Sequence, residues 1–147
     1  MLKVYLAGPF FNEEQVERIE FIENATKEFN AFSPRKASLI TKDSTDNDMV
    51  ETFKGNVDNI AMSDFVLAVY DGKDTGTMFE CGYAYSKNIP ILYFSETRNK
   101  PNLMLAMSTK LPWVLNREQL KEVLDDILEN GLEKVMERTK NTFDEVE

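Results

Sequence analysis

The sequence predicts an α/β fold, a parallel sheet wrapped by helices in a single domain, and three observations predict it. Short apolar runs alternate with amphipathic helical stretches along the chain, the pattern of a parallel α/β sheet. The run Phe65-Val66-Leu67-Ala68-Val69-Tyr70 is continuously apolar between aspartates, as expected of a central strand buried on both faces. The 147 residues contain no linker, internal repeat or low-complexity segment, and that length suits one core without disulfide or metal staples.

Val4-Tyr5-Leu6-Ala7 is the first strand and runs into Gly8-Pro9. Asn12 caps the first helix, with Gln15 three residues on at capping-box spacing. Val16, Ile19, Ile22, Ala25 and Phe29 recur every three or four positions, so one face of this helix is buried. Ala31-Phe32-Ser33-Pro34 reads as a short second strand stopped by proline. Residues 36–48 are polar and without a period, which predicts a long mobile loop of the kind that forms lids. Val50, Phe53, Val57 and Ile60 mark a helix over 49–62, and the apolar run 65–70 follows. Next come a loop at 71–76, a helix over 77–87, the strand Ile89 to Phe94, and a short helical segment around Leu103 to Met107. Trp113-Val114-Leu115 completes a sheet of about five strands. A helix over 118–128 turns Leu120, Val123, Leu124 and Ile127 inward, and a charged helix and tail follow Gly131.

Composition narrows the chemistry. With 26 acidic and 17 basic side chains the net charge is -9, which argues against a nucleic-acid or anionic-membrane partner. The absence of histidine excludes Ser-His-Asp and Cys-His nucleophilic machinery and His-ligated metals. A lone cysteine, Cys81, excludes an internal disulfide and a Cys-cluster metal site, and fits a reducing cytoplasm. No apolar run approaches the roughly 20 residues of a membrane span, and the start reads as a strand and not as a signal peptide. Carboxylates, hydroxyls, amides and a few cations remain.

In open parallel sheets ligands bind beyond the carboxyl ends of the strands. Three stretches meet there: Tyr5 to Asn12, Ser33 to Arg35, and Asp71 to Glu80. None carries the glycine fingerprint of a dinucleotide fold or a P-loop. Asp74 falls in a loop and Glu80 in the first turn or so of the helix that follows, where the helix dipole favours an ionised carboxylate. Such a carboxylate is a competent nucleophile toward an anomeric carbon, and a second carboxyl can protonate the leaving group. The plainer account is that Glu80 only complements the helix dipole and Asp74 only makes a turn. Cys81 reads as a small buried residue, since no histidine is present to activate it. The adjacent rings of Phe10 and Phe11 cannot easily both face the core, so one suits a planar ligand such as a nucleobase. Tyr5 has ordinary core packing as its simplest role, Asn56 a place at the edge of an apolar stripe, and Arg35 a place on the surface or an anion or base contact. Met104, with Met78 and Met107, is most simply adaptable core.

These residues resemble the nucleoside 2-deoxyribosyltransferase family. Tyr5-Leu6-Ala7-Gly8-Pro9-Phe10-Phe11-Asn12 is similar to its first strand and loop, and Phe32-Ser33-Pro34-Arg35 to its second strand end. Ser63-Asp64 to Tyr70, then Asp74-Thr75-Gly76-Thr77-Met78-Phe79-Glu80-Cys81-Gly82-Tyr83-Ala84, resembles its most diagnostic block. Pro101-Asn102-Leu103-Met104 resembles a fourth motif, so the likeness runs in order over 3–107.

The resemblance implies a flavodoxin-like doubly wound sheet and ping-pong exchange of bases on 2′-deoxyribose, with one family-like domain over 1–147, its core at 1–130 and a terminal helix and tail at 131–147. By position, Glu80 would be the nucleophile, Tyr5 its hydrogen-bonding partner, and Asp74 the residue that binds the base and shuttles its proton. Gly8, Phe10, Phe11, Arg35, Asn56, Gly76, Asn102 and Met104 would bind substrate. Asn102 and Met104 match positions lent to a neighbouring subunit's pocket, so the resemblance implies a homo-oligomer acting on a deoxynucleoside and a free nucleobase in the cytoplasm, with no cofactor, metal, nucleic acid or membrane. Two features depart from the pattern. Some members carry aspartate where Asn56 stands, and an amide cannot donate a proton as an acid does, which shifts that load to Asp74. Some members end on a tyrosine whose carboxylate enters the site, whereas this sequence ends Phe143-Asp144-Glu145-Val146-Glu147. The competing readings are an N-glycoside hydrolase of deoxynucleosides or their monophosphates, and a nucleoside-sensing module without turnover. The aromatic loop 8–11 lacks the serine and arginine expected for a phosphate, which favours nucleosides.

Overall fold

The computed structural model describes residues 1–97 and 100–147. Four parallel strands form one sheet: β1 (Lys3–Ala7), β2 (Asn30–Phe32), β3 (Phe65–Val69) and β4 (Ile91–Phe94), in the order β2-β1-β3-β4. Alternation along each strand sorts side chains onto two faces. Val4, Leu6, Leu67, Val69, Leu92 and Phe94 face one layer, built by helices α1 (Glu13–Ala25) and α6 (Arg117–Asn130) through Ile19, Ile22, Leu120, Leu124 and Ile127. Tyr5, Ala7, Val66, Ala68, Tyr70 and Tyr93 face the other, where α3 (Asp46–Ala61) and α4 (Thr75–Ser86) supply Ile60, Cys81 and Ala84. The sheet is therefore doubly wound. The order in which strands are added reverses between β1 and β3, which opens a crevice at their carboxyl ends.

Three short helices complete the elements of the described residues: α2 (Pro34–Ala37), α5 (Leu103–Ser108) and α7 (Leu132–Arg138). Among the described residues no helix is long and apolar enough to cross a membrane.

The expected fifth strand is reduced to one bridge, Val114 to Phe94, so the sheet has four strands and not about five. Pro112 has no N–H to offer a ladder, and Asn116 already caps α6, so the chain between is too short to extend the pairing. The polar stretch 36–48 is also shorter as a loop than its composition predicts. Its first residues belong to α2, and its end is the start of α3, where Thr45 and Asp48 close a reciprocal capping box. Asn12 caps α1 by accepting from Gln15 N at 2.9 Å, while Gln15 Oε1 reaches back to Phe11 N at 2.8 Å, which fixes the loop after β1.

Gly8, at the end of that strand, has no room for a side chain. A Cβ there would lie 2.8 Å from Ile19 Cδ1 and 3.1 Å from Val69 Cβ, so α1 and β3 close over its backbone.

Candidate active site

A cavity of about 370 Å³ lies in the crevice at the ends of β1 and β3. The loop after β1 gives it Gly8, Phe10 and Phe11; α3 gives Phe53, Asn56 and Val57; the start of α4 gives Asp74, Gly76, Phe79 and Glu80. Its walls are apolar, and its polar groups are two carboxylates and one amide. Among the described residues no lysine or arginine lines it.

Glu80 stands in the second turn of α4, not at its N-terminus, so the helix dipole is a weak influence on it. Burial dominates, pushing its carboxyl up to about 7, with the charge of Asp74 raising it further and a hydrogen bond from Tyr5 pulling it back. Tyr5 is fully buried on β1, stacks on Phe32 with ring centroids 5.5 Å apart, and donates its hydroxyl to Glu80 Oε2. Burial and the neighbouring Glu80 drive the Tyr5 phenol far above its ordinary range, so it remains a donor. One carboxylate oxygen is thereby fixed by a rigid ring.

Asp74 is the N-cap of α4. Its Oδ2 accepts from Thr77 N at 3.0 Å and from Thr77 Oγ1 at 2.8 Å. Gly76 keeps the approach to this carboxylate narrow but open, since a Cβ there would sit 3.4 Å from Asp74 Oδ2. The two carboxylates thus differ. Both are half-buried, but Glu80 is held by one phenol, while Asp74 is tied to Thr77 at a loop-helix junction.

The remaining expected residues divide. Gly8, Phe10, Phe11, Asn56 and Gly76 line the cavity, and the rings of Phe10 and Phe11 stack at 6.1 Å. Arg35 does not reach it. Glu23 on α1 captures its guanidinium, with Arg35 Nε at 3.0 Å from Glu23 Oε2, and accepts from Ser33 Oγ at 2.6 Å on the same oxygen. Asn102 and Met104 also stand outside it. Asn102 caps α5, accepting from Met104 N at 2.9 Å, and Met104 borders a separate apolar groove between α4 and α5. The tail bears on the same edge: Glu147 pairs its backbone with Pro101 and Leu103 and its carboxylate with Lys73 Nζ at 2.6 Å.

Two aromatic lining residues escaped the sequence reading as site residues. Phe53 and Phe79 form a tilted ring pair at 5.9 Å on the cavity rim, and both are more than half exposed. Cys81 next door is buried, and burial lifts its thiol to about 12, so it is inert as a nucleophile at neutral pH. Among the described residues no cluster of His, Cys, Asp or Glu is placed to hold a metal ion.

A family model described as nucleoside 2-deoxyribosyltransferase matches residues 4–136. The 2-deoxyribosyltransferase from the psychrotolerant bacterium Bacillus psychrosaccharolyticus superposes with a TM-score of 0.75 at 30% identity, covering 81% of this chain and 90% of that one. A 2-desoxiribosyltransferase from Leishmania mexicana gives a TM-score of 0.57 at 18% identity, covering 90% and 100%. A CMP N-glycosidase from Clostridium botulinum gives 0.57 at 15% identity, covering 84% and 96%. The last two establish likeness of fold alone. A search of curated proteins finds no match.

Proposed function

Because the chain belongs to the nucleoside 2-deoxyribosyltransferase family, we propose that it moves a 2-deoxyribosyl group from one nucleobase to another by double displacement at Glu80. The observation that carries this reading is the Tyr5–Glu80 pair, a half-buried carboxylate held by a phenol in the wall of a cavity that Asp74 also lines. In the first step a Glu80 oxygen attacks C1′ of a deoxynucleoside. The C1′–N bond breaks, its electron pair leaves with the base, and Asp74 supplies the proton that the base takes up. The product is a deoxyribosyl ester of Glu80. In the second step a nitrogen of an incoming base attacks C1′, the ester oxygen departs as carboxylate, and the incoming base's proton returns to Asp74. Two inversions retain configuration. Phe10, Phe11, Phe53 and Phe79 supply flat apolar surface for the base, and Asn56 offers it both a donor and an acceptor.

The coarser conclusion, chemistry at an N-glycosidic bond, covers hydrolysis as well. Free nucleosides are favoured over nucleotides because the described lining residues include two carboxylates and no cation, and because Arg35 and Ser33 are committed to Glu23. The decisive assay mixes thymidine or deoxyinosine with free adenine and separates the products. Deoxyadenosine formed without free sugar is the expected result. Free base without a new nucleoside would replace transfer by hydrolysis.

The working form is a homo-oligomer in the cytoplasm, with Asn102 and Met104 completing a neighbour's cavity. Three observations support this. Both residues lie outside their own chain's cavity. The exposed side chains of α4 and α5 include Phe79, Tyr85, Leu103, Met104 and Met107, and neither helix carries a charge apart from Glu80. Gly82 on α4 leaves open space where a Cβ would meet nothing within 4 Å, although glycine weakens a helix interior by about 1 kcal/mol relative to alanine. In a chain of net charge -9, a neutral face is where two copies can meet. Light scattering should give a multiple of 16.9 kDa, and a monomer mass at assay concentration would remove this part of the proposal.

A further inference from the structure

The segment that delivers Asp74 is an unfavourable piece of backbone. Tyr70-Asp71-Gly72-Lys73 closes a tight turn through Lys73 N to Tyr70 O at 3.0 Å. Gly72 sits at φ +82° and Lys73 at φ +46°, two successive left-handed residues, the second a lysine. Such conformations persist when their surroundings over-determine them.

Asp71 supplies that determination. It is 2% exposed, and both its oxygens are engaged: Oδ1 accepts from Thr97 N at 2.6 Å, and Oδ2 accepts from Glu96 N at 3.1 Å and lies 3.8 Å from Arg18 Nε. Arg18 on α1 is itself buried and donates to Glu96 at 2.8 Å and to Glu14 at 2.9 Å. Glu96 also binds Arg117, which forks onto Glu17 at 2.7 and 2.6 Å. One ionic network therefore joins α1, the turn after β3, the end of β4 and the start of α6. None of its members lines the cavity.

We propose that Asp71 is a positioning residue, which with Arg18 clamps the 70–73 turn so that the Asp74 carboxylate meets the base in register for proton transfer. The inference rests on the role given above to Asp74. Only Gly72 and Lys73 separate the two aspartates, and both are locked in the turn, so displacement of Asp71 passes directly to Asp74. Asp71 itself, walled in by Arg18 and the backbone of 96–97, touches no substrate.

The test compares two donors in the wild type, Asp71→Asn, Asp74→Asn and Asp71→Asn/Asp74→Asn. One donor is a natural deoxynucleoside, whose base needs a proton to leave. The other is a nitrophenyl 2-deoxyriboside, whose leaving group does not. For Asp71→Asn, kcat on the natural donor should fall about 10- to 100-fold, the scale of an ångström-sized misplacement, while the activated donor loses less than about threefold. The double variant should be no worse than Asp74→Asn alone. The ratio between donors is independent of the fraction of protein that is folded, so a purely structural role predicts equal losses, and equal losses overturn the proposal. Should Asp71→Asn fold too poorly to assay, Arg18→Lys keeps the buried charge but loses the guanidinium geometry, and must shift the same ratio in the same direction. A wild type inert toward both donors would bring down the parent reading and this inference with it.

Discussion

Replacing Glu80 by alanine should lower base exchange by about 10⁴-fold or more, because no other group near C1′ can take its place as nucleophile. Glutamine at the same position should be nearly as inactive, although it keeps the shape and can still accept from the Tyr5 hydroxyl. The pH profile of the wild type provides an independent signature. The nucleophile is the anion, and burial above all holds the Glu80 carboxyl near 7. Exchange at limiting substrate should then rise about tenfold per pH unit below that value and level off above it. Tyr5→Phe removes the contact that lowers this carboxyl and should move the rising limb to higher pH. A flat profile from pH 5 to 8, or wild-type turnover in Glu80→Ala, would dismiss Glu80 as the nucleophile.

The second large effect concerns stability, and its sign is opposite to that of activity. In the unfolded chain Glu80 ionises near 4.5, whereas in the native chain it does so near 7, chiefly because of burial. Below 4.5 both states are protonated and the residue carries no penalty. As pH rises from 4.5 to 7 the unfolded state releases its proton first, so native stability is lost across that window and stays lost above it. At 1.36 kcal/mol per unit the full loss is about 3 kcal/mol. Glu80→Gln has no proton to release and escapes it. Denaturant unfolding at pH 5 and pH 8 should show the variant gaining on the wild type by most of that amount at the higher pH. A gap that does not change with pH would mean that Glu80 is well solvated when the site is empty.

Most of the candidate constellation is legible in the sequence, because its members sit on elements that periodicity and capping signals locate well. Tyr5 lies within an apolar run, Asp74 occupies a cap position, and Glu80 lies in the second turn of the following helix. Periodicity is silent about whether a facing neighbour exists. Phe53 shares the apolar spacing of Val57 and Ile60, yet Ile60 is sealed against the sheet while Phe53 stands on the rim. Long-range charge capture is equally invisible. Arg35 follows a strand end that points at the crevice, but Glu23 on a preceding helix claims it, and no local pattern announces that pairing. The missing fifth strand and the early start of α3 had visible signals in Pro112 and in Thr45 with Asp48, which local polarity and apolar content masked.

The contact of Gly8 with Ile19 and Val69 bears on how the cavity could be recut for other substrates. Its floor is also the seam between α1 and β3, so a larger residue there would push apart two layers of the core before it reshaped the pocket. Phe53 and Phe79 are in the opposite situation, exposed and resting chiefly on each other at the mouth. Redesign toward bulkier nucleobase analogues therefore has a fixed side and a free side, and libraries belong on the pair of rings.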